Sequence, residues 1–100
     1  MIKHIVMWRL ADGANGATKE ENARAMQARL MALPGEIDEI QQYEVGLDIN
    51  RTERAGDVVL VSSFANQEDL AAYAGHPRHL EVVDFVRGFS TEVRVVDYEV

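Results

Sequence analysis

Polar and apolar positions in this chain change period several times, and each change marks an element. From Ile2 to Leu10 they alternate, which predicts a strand. Ile2, His4, Val6, Trp8 and Leu10 share one face; Lys3, Ile5, Met7 and Arg9 share the other. The turn-forming residues from Asp12 to Gly16 predict a loop. Thr18-Lys19-Glu20-Glu21 then reads as a capping box, because a threonine hydroxyl and a glutamate three residues on can satisfy each other's backbone N–H groups. Early glutamates also suit the positive end of a helix dipole. The spacing predicts a helix to about Leu33, with Ala23, Met26, Leu30 and Leu33 as its buried stripe. Pro34-Gly35 stops it.

A second alternating stretch, Ile37 to Asn50, predicts a strand. Tyr43, Val45, Leu47 and Ile49 oppose Glu44, Gly46, Asp48 and Asn50, and Gly46 in mid-strand signals a bulge or a close backbone approach. A polar loop from Arg51 to Gly56 precedes a third strand, Asp57 to Phe64, apolar on both faces. Asn66 caps a short helix that carries Leu70 and Tyr73 on one face and ends at Gly75. Pro77 fits the first turn of another helix, where its missing N–H costs nothing. There His79, Val82, Val83 and Val86 fall at i, i+3, i+4 and i+7, so His79 belongs to an apolar stripe. Gly88 closes that helix. Phe89 to Val100 is the last strand, with Phe89, Thr91, Val93, Val95 and Asp97 on one face and Arg94, Val96, Tyr98 and Val100 on the other.

The order β-α-β-β-α-α-β predicts one α+β domain over residues 1–100, a ferredoxin-like sandwich with helices on one face of the sheet. The opposite face is also apolar, and one chain of 100 residues has nothing left to cover it. A homodimer packed sheet against sheet is the expected solution.

Composition narrows the class. Hydrophobic residues make up 47% of the chain, enough for a core. The formal net charge of -7 argues against nucleic acid and anionic membranes as partners, since both select basic patches. Without cysteine there is no disulfide or thiolate chemistry. Lys3, His4 and Arg9 interrupt the N-terminal apolar pattern, so no signal peptide is expected there. No apolar run approaches the ~20 residues that span a bilayer. The expectation is a soluble, cytoplasmic protein.

Titratable chemistry concentrates in Tyr73-Ala74-Gly75-His76-Pro77-Arg78-His79, which holds two of the three histidines. A neutral imidazole in an apolar cavity can take a proton from a carbon beside a carbonyl, and a tyrosine hydroxyl can donate to the enolate oxygen that develops. Tyr73, His4, His76 and His79 are the groups available for such chemistry, and the spacing leaves open which histidine is the base. Structural roles compete: a wet strand-edge His4, a helix-starting His76 and a satisfied core His79. His76 and His79 could share a metal ion, but the intervening proline disturbs that geometry, and no metal site is expected. Asp48, Glu53 and Asp57 match no calcium-loop spacing and read as a solvated loop. Nothing marks a haem ligand or a phosphate loop, so no cofactor is expected.

Several stretches together resemble one family. They are Ile2-Lys3-His4-Ile5-Val6, Leu33-Pro34-Gly35-Glu36-Ile37, Tyr43-Glu44-Val45-Gly46, Ser63-Phe64, the Tyr73–His79 segment and Val95-Val96-Asp97-Tyr98. In this order the chain resembles the stress-responsive α/β-barrel (Dabb) family over essentially its whole length. The resemblance implies a ferredoxin-like fold whose dimer forms a β-barrel. It also implies a cofactor-free activity like that of a plant polyketide cyclase in the family, which makes an aromatic acid by aldol condensation. Residues matching that enzyme's working groups are Tyr73, His79 and His4, while Val58 and Leu30 stand where it has a pocket histidine and a tyrosine. Trp8 and His76 complete the expected pocket and its support. The expected function is a cyclase-like lyase or isomerase acting on a small hydrophobic carbonyl ligand, with His79 as base. Alternatives are an oxygenase of the related antibiotic-biosynthesis monooxygenase type and a non-catalytic stress-response or ligand-binding dimer.

Overall fold

The computed structural model describes all residues from Met1 to Val100. Its elements are β1 (Ile2–Leu10), β2 (Gly13–Ala14), β3 (Ala17–Thr18), α1 (Lys19–Met31), a 3-10 turn (Leu33–Gly35), β4 (Gln42–Leu47), β5 (Val58–Phe64), α2 (Gln67–Gly75), α3 (Pro77–Arg87) and β6 (Ser90–Glu99). The main sheet has the order β4-β5-β1-β6 and is antiparallel throughout. This is the expected ferredoxin-like α+β fold.

Local signals fixed most helix ends. Thr18 and Glu21 form the reciprocal capping box at the start of α1. Asn66 caps α2 by accepting from the Asp69 N–H at 2.8 Å. Between the sheet and the helices lies one core, in which Met26, Ile37, Leu60, Phe64 and Tyr73 are almost fully buried. Ile5, Val61 and Val96 pair in one row on the opposite face, where Met7 and Val96 are exposed.

Three elements differ from the sequence pattern. Asp12 to Gly16 is not a plain loop, because β2 and β3 pair across it. Asn15 (φ 56°) and Gly16 (φ 71°) both take the left-handed backbone that a tight two-residue hairpin requires. The strand expected from Ile37 to Asn50 covers only Gln42–Leu47. Ile37 is instead folded into the core by the turn that donates its N–H to Leu33. Beyond Leu47, the Asp48 carboxylate accepts the N–H groups of Asn50 and Arg51 at 3.0 and 2.9 Å and bends the chain. Gly46 makes no bulge, since the β4–β5 register is continuous; a Cβ there would stand 3.2 Å from Val59 Cγ1, so close approach is its role.

Third, β6 changes phase. Leu10 pairs with Ser90 and Arg9 with Glu92, which leaves Thr91 as an extra residue in a bulge. Ser90 therefore replaces Thr91 on the inner face, while Val93 and Val95 stay there beside Trp8 and Val6.

Candidate active site

A cavity of about 350 Å³ lies between α3, β1 and β6, and most of its lining is hydrophobic. His4, Tyr73 and His79 all reach it. Each is placed by a different element. His4 comes from the inner face of β1, Tyr73 from the last turn of α2 and His79 from the first turn of α3.

The α2–α3 joint aims His79. His76 has extended backbone and caps α3, its Nδ1 accepting the Arg78 N–H at 3.1 Å, with Pro77 in the first turn. His79 Nδ1 lies 2.9 Å from the Ala74 carbonyl oxygen. A carbonyl only accepts, so Nδ1 carries the proton and Nε2 keeps the free lone pair. The His79 ring lies 4.4 Å from the Tyr73 ring, centroid to centroid. Partial burial is the main cause that lowers the His79 pKa, and His4 and His76 add to it against the Ala74 bond. The ring is therefore neutral at neutral pH.

Tyr73 is 1% exposed and is the pivot of the cluster. His4 stands edge-on to it at 6.0 Å. Its hydroxyl lies 2.8 Å from that of Tyr43 on β4. Burial pushes the Tyr73 pKa up to about 12, and the bond from Tyr43 holds it back. Tyr43 is raised further, first by burial and then by Tyr73. Either hydroxyl can donate in this pair; with Tyr43 as donor, the Tyr73 proton is free for another acceptor.

His4 has a partner of its own. Its Nδ1 is 2.5 Å from Asp97 Oδ1, across the β1–β6 ladder. A carboxylate on Nδ1–H fixes the tautomer, so His4 also presents Nε2. Trp8 and Leu30 line the cavity. Val58 does not: it is 2% exposed and packs in the core beside it. Nor does His76, whose ring serves the helix cap. Asp57 is engaged as well, accepting the Leu10 N–H at 2.7 Å.

The family model for the stress responsive A/B barrel domain matches residues 2–100. The chain belongs to that family, Dabb. This Dabb chain is 31% identical to an uncharacterized protein of Streptomyces coelicolor, over 99% of each chain. A dimeric ferredoxin-like protein of unknown function from Bacteroides fragilis superposes with a TM-score of 0.85 at 30% identity, covering 99% of this chain and 95% of that one. A hydroxynitrile lyase from Passiflora edulis has the same fold, with a TM-score of 0.80 at 17% identity over 97% of this chain and 90% of that one.

Two residues of the candidate site escaped the sequence reading. Asp97 ends the apolar inner face of β6, and Tyr43 opens the inner face of β4. In each case a polar group closing an apolar row was the available signal. What it meets depends on pairing between distant parts of the chain.

Proposed function

We propose that this Dabb protein is a small cofactor-independent lyase or isomerase, related in chemistry to polyketide cyclases, that removes a proton from carbon beside the carbonyl of an apolar ligand. His79 Nε2 is the base. Tyr73, supported by Tyr43, donates to the enolate oxygen, and His4 is the second polar group, positioned by Asp97. The observation that carries this is His79 held against Tyr73 in an apolar cavity with its Nδ1 committed to Ala74. Desolvation keeps the base neutral and ready, and a placed base contributes typically about 10²–10⁴-fold. No metal or cofactor enters these steps.

Exchange of the α-protons of heptanal in D2O, followed by NMR, tests it. Wild type should catalyse exchange, and a folded His79→Ala variant should lose about 10²–10⁴-fold. Equal exchange by both proteins would sink the proposal.

The cavity would also suit a ligand-binding protein without turnover. In that case heptanal raises the melting temperature while exchange stays at the uncatalysed rate.

A homodimer packed through the outer sheet face belongs to the same proposal. Exposed Met7, Val96 and Tyr98 on that face support it, and so does the dimeric relative. A cytoplasmic location is proposed too, to be checked by cell fractionation; no helix is long and apolar enough to cross a membrane.

A further inference from the structure

The cavity has two unlike ends. One holds His4, Tyr73 and His79; the other holds Arg87 and Ser90. His79 and Arg87 bracket α3, about 12 Å apart at a rise of about 1.5 Å per residue. Between them the α3 wall is Val82, Val83 and Val86, faced by Val93 and Val95 of β6. No carboxylate lines the cavity, so Arg87 is its one permanent charge.

Arg87 is loosely held. Its nearest carboxylate is that of Asp84, 3.9 Å away on the same helix, and both side chains are largely exposed. That is a weak pair. The guanidinium is therefore free to take another acceptor. Ser90, turned inward by the β6 bulge, adds a hydroxyl to the same end of the lining. The chain as a whole carries a formal charge of -7 and repels anions, so an exposed cation at the mouth of an apolar cavity favours them locally, by the modest margin of a surface ion pair.

We infer that Arg87 selects the substrate, and that the ligand is a medium-chain oxo acid. Its carboxylate lies on Arg87 and Ser90, its alkyl chain against the valines and its carbonyl at Tyr73 and His79. This rests on the proposed function for the position of the carbonyl, but the acid end stands on the Arg87 geometry alone.

Calorimetry with decanoate and decanol separates the two. Wild type should bind both, with decanoate about fivefold tighter at low salt. Arg87→Gln should bind decanol as before and lose the preference. His79→Ala should keep it. Arg87 also sits in the last turn of α3, where a cation suits the helix dipole; that role alone would change stability and leave the preference intact. Equal binding of acid and alcohol by wild type, or a preference that survives Arg87→Gln, overturns the inference and leaves the carbonyl chemistry standing. If wild type binds neither, the cavity is no binding site and both fall.

Discussion

The hydroxyls of Tyr43 and Tyr73 meet at 2.8 Å, joining β4 to the end of α2 beneath the cavity. Tyr73 alone, nearly fully buried, would have its hydroxyl divided between holding the core and serving a ligand. Tyr43 can take over the first role, since with Tyr43 as donor the Tyr73 proton is left for the ligand. Replacing Tyr43 with phenylalanine should therefore impair both. We expect a stability loss of about 1–3 kcal/mol from the unpartnered hydroxyl, read by urea denaturation, and slower α-proton exchange. An unchanged exchange rate would show that Tyr43 only supports the core.

Tyr73→Phe makes a sharper case. The ring remains and with it the packing on Phe64 and His79. Exchange should fall by about 10²–10³-fold, the typical cost of one oxyanion donor, while heptanal affinity stays near wild type. A loss of affinity with an unchanged rate at saturation would assign Tyr73 to binding.

His79 sets a pH dependence. Its pKa is lowered in the folded protein, so the unfolded chain takes up the proton first as pH falls. Stability should be unaffected well above about pH 6.5, the ordinary histidine value, and decline below it until the folded pKa is passed. His79→Gln should flatten that decline in thermal melts between neutral pH and about pH 5. The exchange reaction should follow the neutral imidazole and persist below about pH 6.5.

Asp97→Asn should act through His4. The asparagine Oδ1 can still accept from Nδ1–H, but its amide N–H can instead donate to an unprotonated Nδ1, so the tautomer is no longer fixed. Exchange should slow without loss of heptanal binding, and Asp97→Glu should restore part of it. If Asp97→Asn changes only the melting temperature, the pair is structural.

The outer sheet face makes a separate prediction. Met7→Lys places a second cation beside Arg94, opposite Val59 and one row from Ile5, Val61 and Val96. Sedimentation should show wild type as a dimer and the variant shifted to monomer. A monomeric wild type would contradict the proposed assembly.

The features that could be read from the sequence are the ones decided locally. Thr18 and Glu21 are three residues apart, and their capping box needs nothing beyond one turn of helix. The inward stripe from His79 to Val86 and the cap before Pro77 are equally local. His4, Tyr73 and His79 could be nominated because each stands on an apolar face of its own element and because the family resemblance matches all three to working residues. Asp97 and Tyr43 could not be given partners, since those depend on β1 pairing with β6 and on α2 bringing Tyr73 within reach of Tyr43. The bulge that exchanges Thr91 for Ser90 is set by the same nonlocal ladder. The long strand expected from Ile37 failed because alternation continues through a turn, where Ile37 is buried by the core and not by a sheet.

Nitrogen NMR of the His79 ring, with and without heptanal, tests the central claim most directly. The account predicts a neutral ring at pH 7 with its proton on Nδ1, and an Nε2 resonance that moves when heptanal is added. A proton on Nε2, an imidazolium at pH 7, or an Nε2 that does not respond to bound heptanal would contradict it.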